Sequence, residues 1–196
     1  MPSRFHDNLG LKIASEDDRH EWIALVTAIS DRIDEAGMAE DILFHGTTIR
    51  QARSILRHGM RPTDAFEVLH DGEETMTQGS FWGTVRTAAW YAEDKSFHRG
   101  DRPALIACPV GFLQTYSTLG IDIPSRDFPV PGLTQLEDPG TAARWATGMT
   151  RTWQDSLSDI GSVTALHEEI LPLDAALIMH GIESLERILE NNVFSA

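Results

Sequence analysis

Short apolar runs alternate along this chain with segments whose apolar residues recur every three or four positions, and each change of period marks an element. Trp22, Leu25, Val26, Ile29 and Ile33 follow helical spacing through Ala36, with Gly37 as a stop. Ser15-Glu-Asp-Asp18 ahead of them has the form of a capping box with an acid in the reaching-back position. Residues 1–40 are therefore predicted to be an N-terminal helical extension packed against a body spanning 41–196. Ile42-Leu-Phe44 predicts a buried strand. Ile49, Ala52, Ile55 and Leu56 then return to helical spacing, with Thr47 or Thr48 to cap that helix and Gly59 to end it.

The polar stretch from Arg61 to Gly79, with Asp71-Gly-Glu-Glu74 inside it, predicts a long loop of the kind that covers or binds a ligand. Gly79 to Thr84 predicts a short strand. Thr84 or Arg86 opens a helix whose Ala88, Ala89 and Ala92 let it lie close to a sheet. Ala104 to Val110 is a further apolar strand, and Gly111 to Gly140, broken by Pro124, Pro129, Pro131 and Pro139, predicts irregular structure. Thr141 to Leu157 predicts one helix or two, Ser162 to Leu173 a strand, and Ser184 to Leu189 a short closing helix. Strands and helices mixed without regular alternation indicate an α+β fold.

Composition narrows the function. A chain of 196 residues is long enough to bury a sizeable core, and its formal net charge of -14 argues against a general binder of nucleic-acid backbone. The longest basic stretch, Arg50 to Arg61, is spread over a helix and reads as a solvated face. The single cysteine, Cys108, excludes an intrachain disulfide and sits in an apolar strand as a small core residue. The start of the chain has no apolar leader region, and no apolar stretch approaches membrane-spanning length, so the expected address is the cytoplasm, or an exterior reached without a cleavable signal. The eight histidines are scattered. His167-Glu168 lacks the second histidine of a zinc-protease motif, because Leu171 holds that place, so no metal is expected.

The candidate chemistry lies at strand ends. His45 and Gly46 fall at a strand-to-helix corner, where side chain and bare backbone can both face a ligand. No Gly-rich dinucleotide fingerprint of the Rossmann type is present. Asp41-Ile-Leu-Phe-His-Gly-Thr-Thr48, Gly79-Ser-Phe-Trp-Gly-Thr84, Ala88-Ala-Trp-Tyr-Ala92 and His167-Glu-Glu-Ile-Leu171, taken in order, resemble the NAD-dependent ADP-ribosyltransferase superfamily. The resemblance is to the diphtheria-toxin and poly-ADP-ribose-polymerase branch, with its His, Tyr, Glu signature on three strands.

What the resemblance implies is a split β-sheet core with flanking helices, and NAD as a substrate whose nicotinamide-ribose bond is cleaved. It places His45 against a ribose hydroxyl and Gly46 and Thr47 at the nicotinamide carboxamide. Phe81 or Trp82 stands where the family has tyrosine, and Ser80 matches a serine element of another branch. Glu169 is the implied catalytic carboxylate, favoured over Glu168, since cleavage leaves positive charge on the sugar. His167, two places before it, does not support arginine as acceptor. The expected outcome is transfer of ADP-ribose to a protein acceptor, as in a bacterial toxin or effector with an antitoxin or immunity partner. The alternatives are NAD hydrolysis, or a non-catalytic NAD-binding or protein-interaction domain.

Overall fold

The computed structural model describes residues 16–68, 74–121 and 152–193. Element order is α1 (Glu16–Ala36), β1 (Ile42–Thr48), α2 (Ile49–His58), β2 (Thr63–Val68), β3 (Glu74–Gly83), α3 (Val85–Arg99), β4 (Pro103–Pro109), α4 (Val110–Tyr116), β5 (Thr118–Ile121), α5 (Trp153–Ile160), β6 (Ser162–Leu166), β7 (Leu177–Ile178) and α6 (Ile182–Val193). The seven strands form one antiparallel sheet in the order β5-β6-β3-β1-β4-β7, with β2 beside β3. The fold is α+β, as the sequence pattern indicates.

Alternation along the central strands sends side chains to two cores. Ile42 and Phe44 of β1 and Leu105 and Ala107 of β4 pack with Trp22, Ile29 and Ile33 of α1, the alanines of α3, and Leu185 and Ile188 of α6. Leu43, Ile106 and Cys108 point the other way, to Ala52 of α2, Leu113 of α4 and Leu157 of α5. The sheet is thus covered by helices on both faces. Helix α1 is part of the first core rather than a detached arm: the Trp22 indole donates to the buried Glu93 carboxylate at 2.8 Å, and Arg32 pairs with Glu186 at 2.7 Å. The Ser15 end of the expected capping box lies outside the described residues.

Strands β1 and β3 touch at one register pair, Phe44 with Gly83. Toward its start β3 is instead held by β2, up to Thr63 with Gly79, so residues 80–82 of β3 lie between two partners along that edge. Beyond Phe44, β1 follows β4 to Thr48 and leaves β3. That divergence opens the cleft described below.

Several sequence expectations are corrected. Part of the presumed loop from Arg61 to Gly79 is the β2–β3 pairing: Phe66 and Val68 alternate with Glu67, and the Asp71-Gly72 turn signal lies at residues outside those described. The beginning of the stretch predicted irregular holds α4 and β5. Most of the expected Thr141 to Leu157 helix lies outside the described residues, and α5 begins at Trp153 behind a Thr152–Asp155 capping box. The strand predicted over Ser162 to Leu173 ends at Leu166. His167, whose amide still donates to the Gln78 carbonyl at 3.0 Å, turns the chain out of the ladder.

Candidate functional site

A cavity of about 560 Å³ fills the space between β1 and β3, floored by α2 and α3. Its β1 wall carries Phe44, His45 and Gly46, and its β3 wall Ser80 to Gly83. His45 follows Leu43 onto the same side of β1, because alternate strand residues share a face. There its ring lies 5.6 Å from the Trp82 ring at 55°. The His45 Nδ1 sits 2.7 Å from the Phe81 carbonyl oxygen, in the gap left where β1 and β2 each abandon the edge of β3. A carbonyl only accepts, so Nδ1 carries the proton and Nε2 keeps a lone pair. Burial, reinforced by the nearby Lys95 charge, lowers the His45 pKa to about 3, and the bond to Phe81 opposes the shift only in part. The imidazole is neutral at physiological pH.

Gly46 has a different role from the one the sequence suggests. A Cβ there would collide with the Ala88 carbonyl and crowd the Ala92 amide, so the glycine is what lets α3 lie against β1. Its carbonyl accepts from the Lys95 Nζ at 2.7 Å, and Gly46 still borders the cavity. Thr47 is fully buried, donates to the Gln51 Oε1 at 3.0 Å and lies outside the cavity lining, so it positions Gln51 rather than touching a ligand. Arg99 donates to the same Gln51 oxygen at 2.8 Å.

On β3, both Phe81 and Trp82 border the cavity, although Trp82 is buried in the second core. The Trp82 Nε1 donates to the Ser80 Oγ at 2.9 Å, and the Ser80 hydroxyl donates to the His167 Nε2 at 3.0 Å. His167 in turn donates from Nδ1 to the Glu169 carbonyl at 2.8 Å. Ser80 lines the cavity, yet its proton is committed to this chain of bonds.

The carboxylates are placed apart from the histidine. Glu168 and Glu169 stand in a bend after β6, both exposed and neither lining the cavity, so the choice between them by strand alternation no longer applies. Glu169 is nonetheless linked to the lining by hydrogen bonds. Its backbone is tied through His167 to Ser80, and two residues on, Leu171 exchanges backbone bonds with Met60 of the lining at 2.9 Å in each direction.

Among the lining residues that the sequence reading did not place at the site are Tyr91, Lys95 and Arg99 of α3, and Arg61 after α2. Thr87, Tyr91, Lys95 and Arg99 recur every four residues and so share one face of α3, a signal present in the sequence once that face is known to meet β1. Among the described residues the lining holds no Asp or Glu. Burial first, then repulsion from Arg99, lowers the Lys95 pKa to about 8, with Asp94 acting the other way. The cavity therefore joins a neutral hydrogen-bond acceptor and aromatic rings to a cationic wall, an arrangement suited to a ligand with hydroxyls, a flat ring and negative charge.

Cys108 is buried, and burial pushes its thiol pKa up to about 12, so it is inert core. Among the described residues no cluster of His, Cys, Asp and Glu could hold a metal ion, and no helix is long and apolar enough to cross a membrane. Comparison of the chain with protein families, with curated proteins and with solved structures finds no match.

Proposed function

We propose that the chain is an NAD-dependent ADP-ribosyltransferase, with NAD in the cleft where β1 and β3 diverge. The observation that carries this reading is the neutral His45, held by the Phe81 carbonyl so that a bare Nε2 is left to accept from a ribose hydroxyl. Phe81 and Tyr91 supply aromatic surface for nicotinamide, and Lys95, Arg99 and Arg61 supply positive charge for the diphosphate. The cavity of about 560 Å³ is of a size that suits a small-molecule site.

In the reaction the bond from the ribose C1′ to the nicotinamide nitrogen breaks, and its electron pair leaves with nicotinamide. Positive charge grows on the sugar, and a carboxylate nearby lowers that barrier. In this reading Glu169 fills that role. Its exposed side chain is free of the core, while its backbone is fixed to His167. Nucleophilic attack on C1′ by the acceptor completes transfer; attack by water gives hydrolysis.

A second reading, NAD binding without turnover, is favoured by one observation, that the described lining residues include no carboxylate. Nicotinamide release from NAD, measured with a lysate supplying acceptors, separates the two. Transferase activity predicts release that falls about a hundredfold or more in Glu169→Gln, with NAD affinity largely kept, because the carboxylate acts mainly on the transition state. Binding with no release in the wild-type protein supports the second reading. Release that survives in Glu169→Gln and is lost in Glu168→Gln assigns the carboxylate to Glu168.

A further inference from the structure

The thirteen residues from Ile49 to Arg61 contain four arginines, one histidine and no acid, in a chain of formal charge -14. Setting those four charges aside leaves -18 on the remainder. Such a segment in so acidic a protein is a local reversal of sign, and the fold gives it a shape. Arg50, Arg53 and Arg57 line a groove of about 380 Å³ along α2. Ser54 and His58 border this groove and also the β1–β3 cavity, and Arg61 lines the cavity, so groove and cavity are neighbours that share two lining residues.

These arginines are exposed, and among the described residues none of them forms an ion pair. The one carboxylate in the groove, Asp101, is already engaged. It accepts from the Arg50 amide at 3.1 Å and the Arg102 amide at 2.9 Å, satisfying the start of α2, where the cap residue Thr48 makes no side-chain bond to the helix. Partial burial tends to raise the Asp101 pKa, and these bonds outweigh it and hold the carboxyl below its usual range.

We infer that the α2 groove binds single-stranded nucleic acid, with phosphates on Arg50, Arg53 and Arg57 and the strand leading toward the cavity. Guanidinium groups bind phosphate oxygens in pairs, and every formal positive charge of this segment is an arginine. An arginine row alone would equally suit an acidic peptide. The row lies, however, beside a cavity walled by Phe81 and Tyr91, and a basic groove next to aromatic faces is the combination that holds unpaired bases. A duplex keeps its bases stacked inside and offers nothing to those rings. The acidic remainder of the chain repels a polyanion, which confines binding to this groove. Phe81 and Tyr91 are the rings that the proposed function gives to nicotinamide, so strand and NAD compete for them, while the arginine row is tested by strand binding alone, without NAD.

The test is fluorescence anisotropy of the full chain with a labelled twelve-nucleotide single strand. Three to four phosphate contacts predict a fall in affinity of roughly 20- to 50-fold between 50 and 200 mM salt. Arg53→Glu with Arg57→Glu should abolish binding, whereas Arg187→Glu, the same kind of charge change on exposed α6, should leave it intact. Should the double glutamate variant fold poorly by its melting temperature, Arg53→Gln with Arg57→Gln should still weaken binding and flatten the salt dependence. Poly-glutamate in excess should fail to displace the strand. No binding at 50 mM salt, equal loss in Arg187→Glu, or displacement by poly-glutamate would each overturn the inference, the last in favour of an acidic protein partner.

Discussion

His45 gives the clearest single-residue consequence. Its folded pKa of about 3 lies below the ordinary 6.5, so the unfolded chain takes up the proton first as pH falls. Stability from this group is therefore complete above about pH 6.5 and drains away toward pH 3, at up to about 1.4 kcal/mol per pH unit. His45→Gln should flatten the pH dependence of thermal unfolding between pH 6.5 and 4; an unchanged slope would show that the ring is better solvated than its bond to Phe81 suggests. His167 is the second such residue. Removing it by His167→Ala leaves the buried Ser80 hydroxyl without its acceptor and should cost about 1–3 kcal/mol by chemical denaturation. A loss well under that would mean water replaces the ring.

At the scale of elements, the contact between α3 and β1 decides whether the cleft exists. Gly46→Ala would drive a methyl group into the Ala88 carbonyl, so it should destabilise the fold by about 1–3 kcal/mol or more, read as a lower unfolding midpoint. A neutral result would show that α3 can retreat. This contact also shows what the sequence could and could not disclose. The small face of Ala88, Ala89 and Ala92 was legible, and so was the strand that carries His45, since apolar runs and helical spacing are local signals. Strand β2 was obscured because its polar residues, and the acids after it, outweigh two alternating apolar positions. Glu169 was placed on a strand because Ile170, Leu171 and Leu173 extend the apolar run; only Leu171 and Leu173 are buried, and they are held by a bridge to Met60 and by the second core. Gly46 lines the cavity and also makes room for α3, whereas Thr47 is buried away from the lining, and the sequence does not separate the two cases. Whether a small residue faces a ligand or a helix is fixed by tertiary packing, and spacing does not report it.

For the molecule as a whole, the distribution of charge matters more than its sum. The net -14 suggests an acidic surface hostile to anions, yet the cavity and the α2 groove gather Arg50, Arg53, Arg57, Arg61, Lys95 and Arg99 at one place. Lys95 makes this site sensitive to alkaline pH. Its pKa of about 8 means that the folded protein loses this charge as pH rises through 8, while an unfolded lysine keeps it to about 10.5. Folding stability from Lys95 thus increases over that window, and affinity for an anionic ligand decreases. NAD affinity should fall from pH 7 to pH 9 in the wild-type chain and be weaker and flat over that range in Lys95→Met. A parallel decline in both would assign the pH dependence elsewhere.

The most direct test of the account is calorimetric titration of NAD into the wild-type chain and into His45→Ala at pH 7, with the unfolding temperature of each recorded. The account predicts saturable binding by the wild-type chain, and an affinity at least tenfold lower in a folded His45→Ala, because the bond from the ribose hydroxyl to Nε2 is made in the ground state. Equal affinity in the two folded proteins, or no binding to the wild-type chain at millimolar NAD, would contradict it.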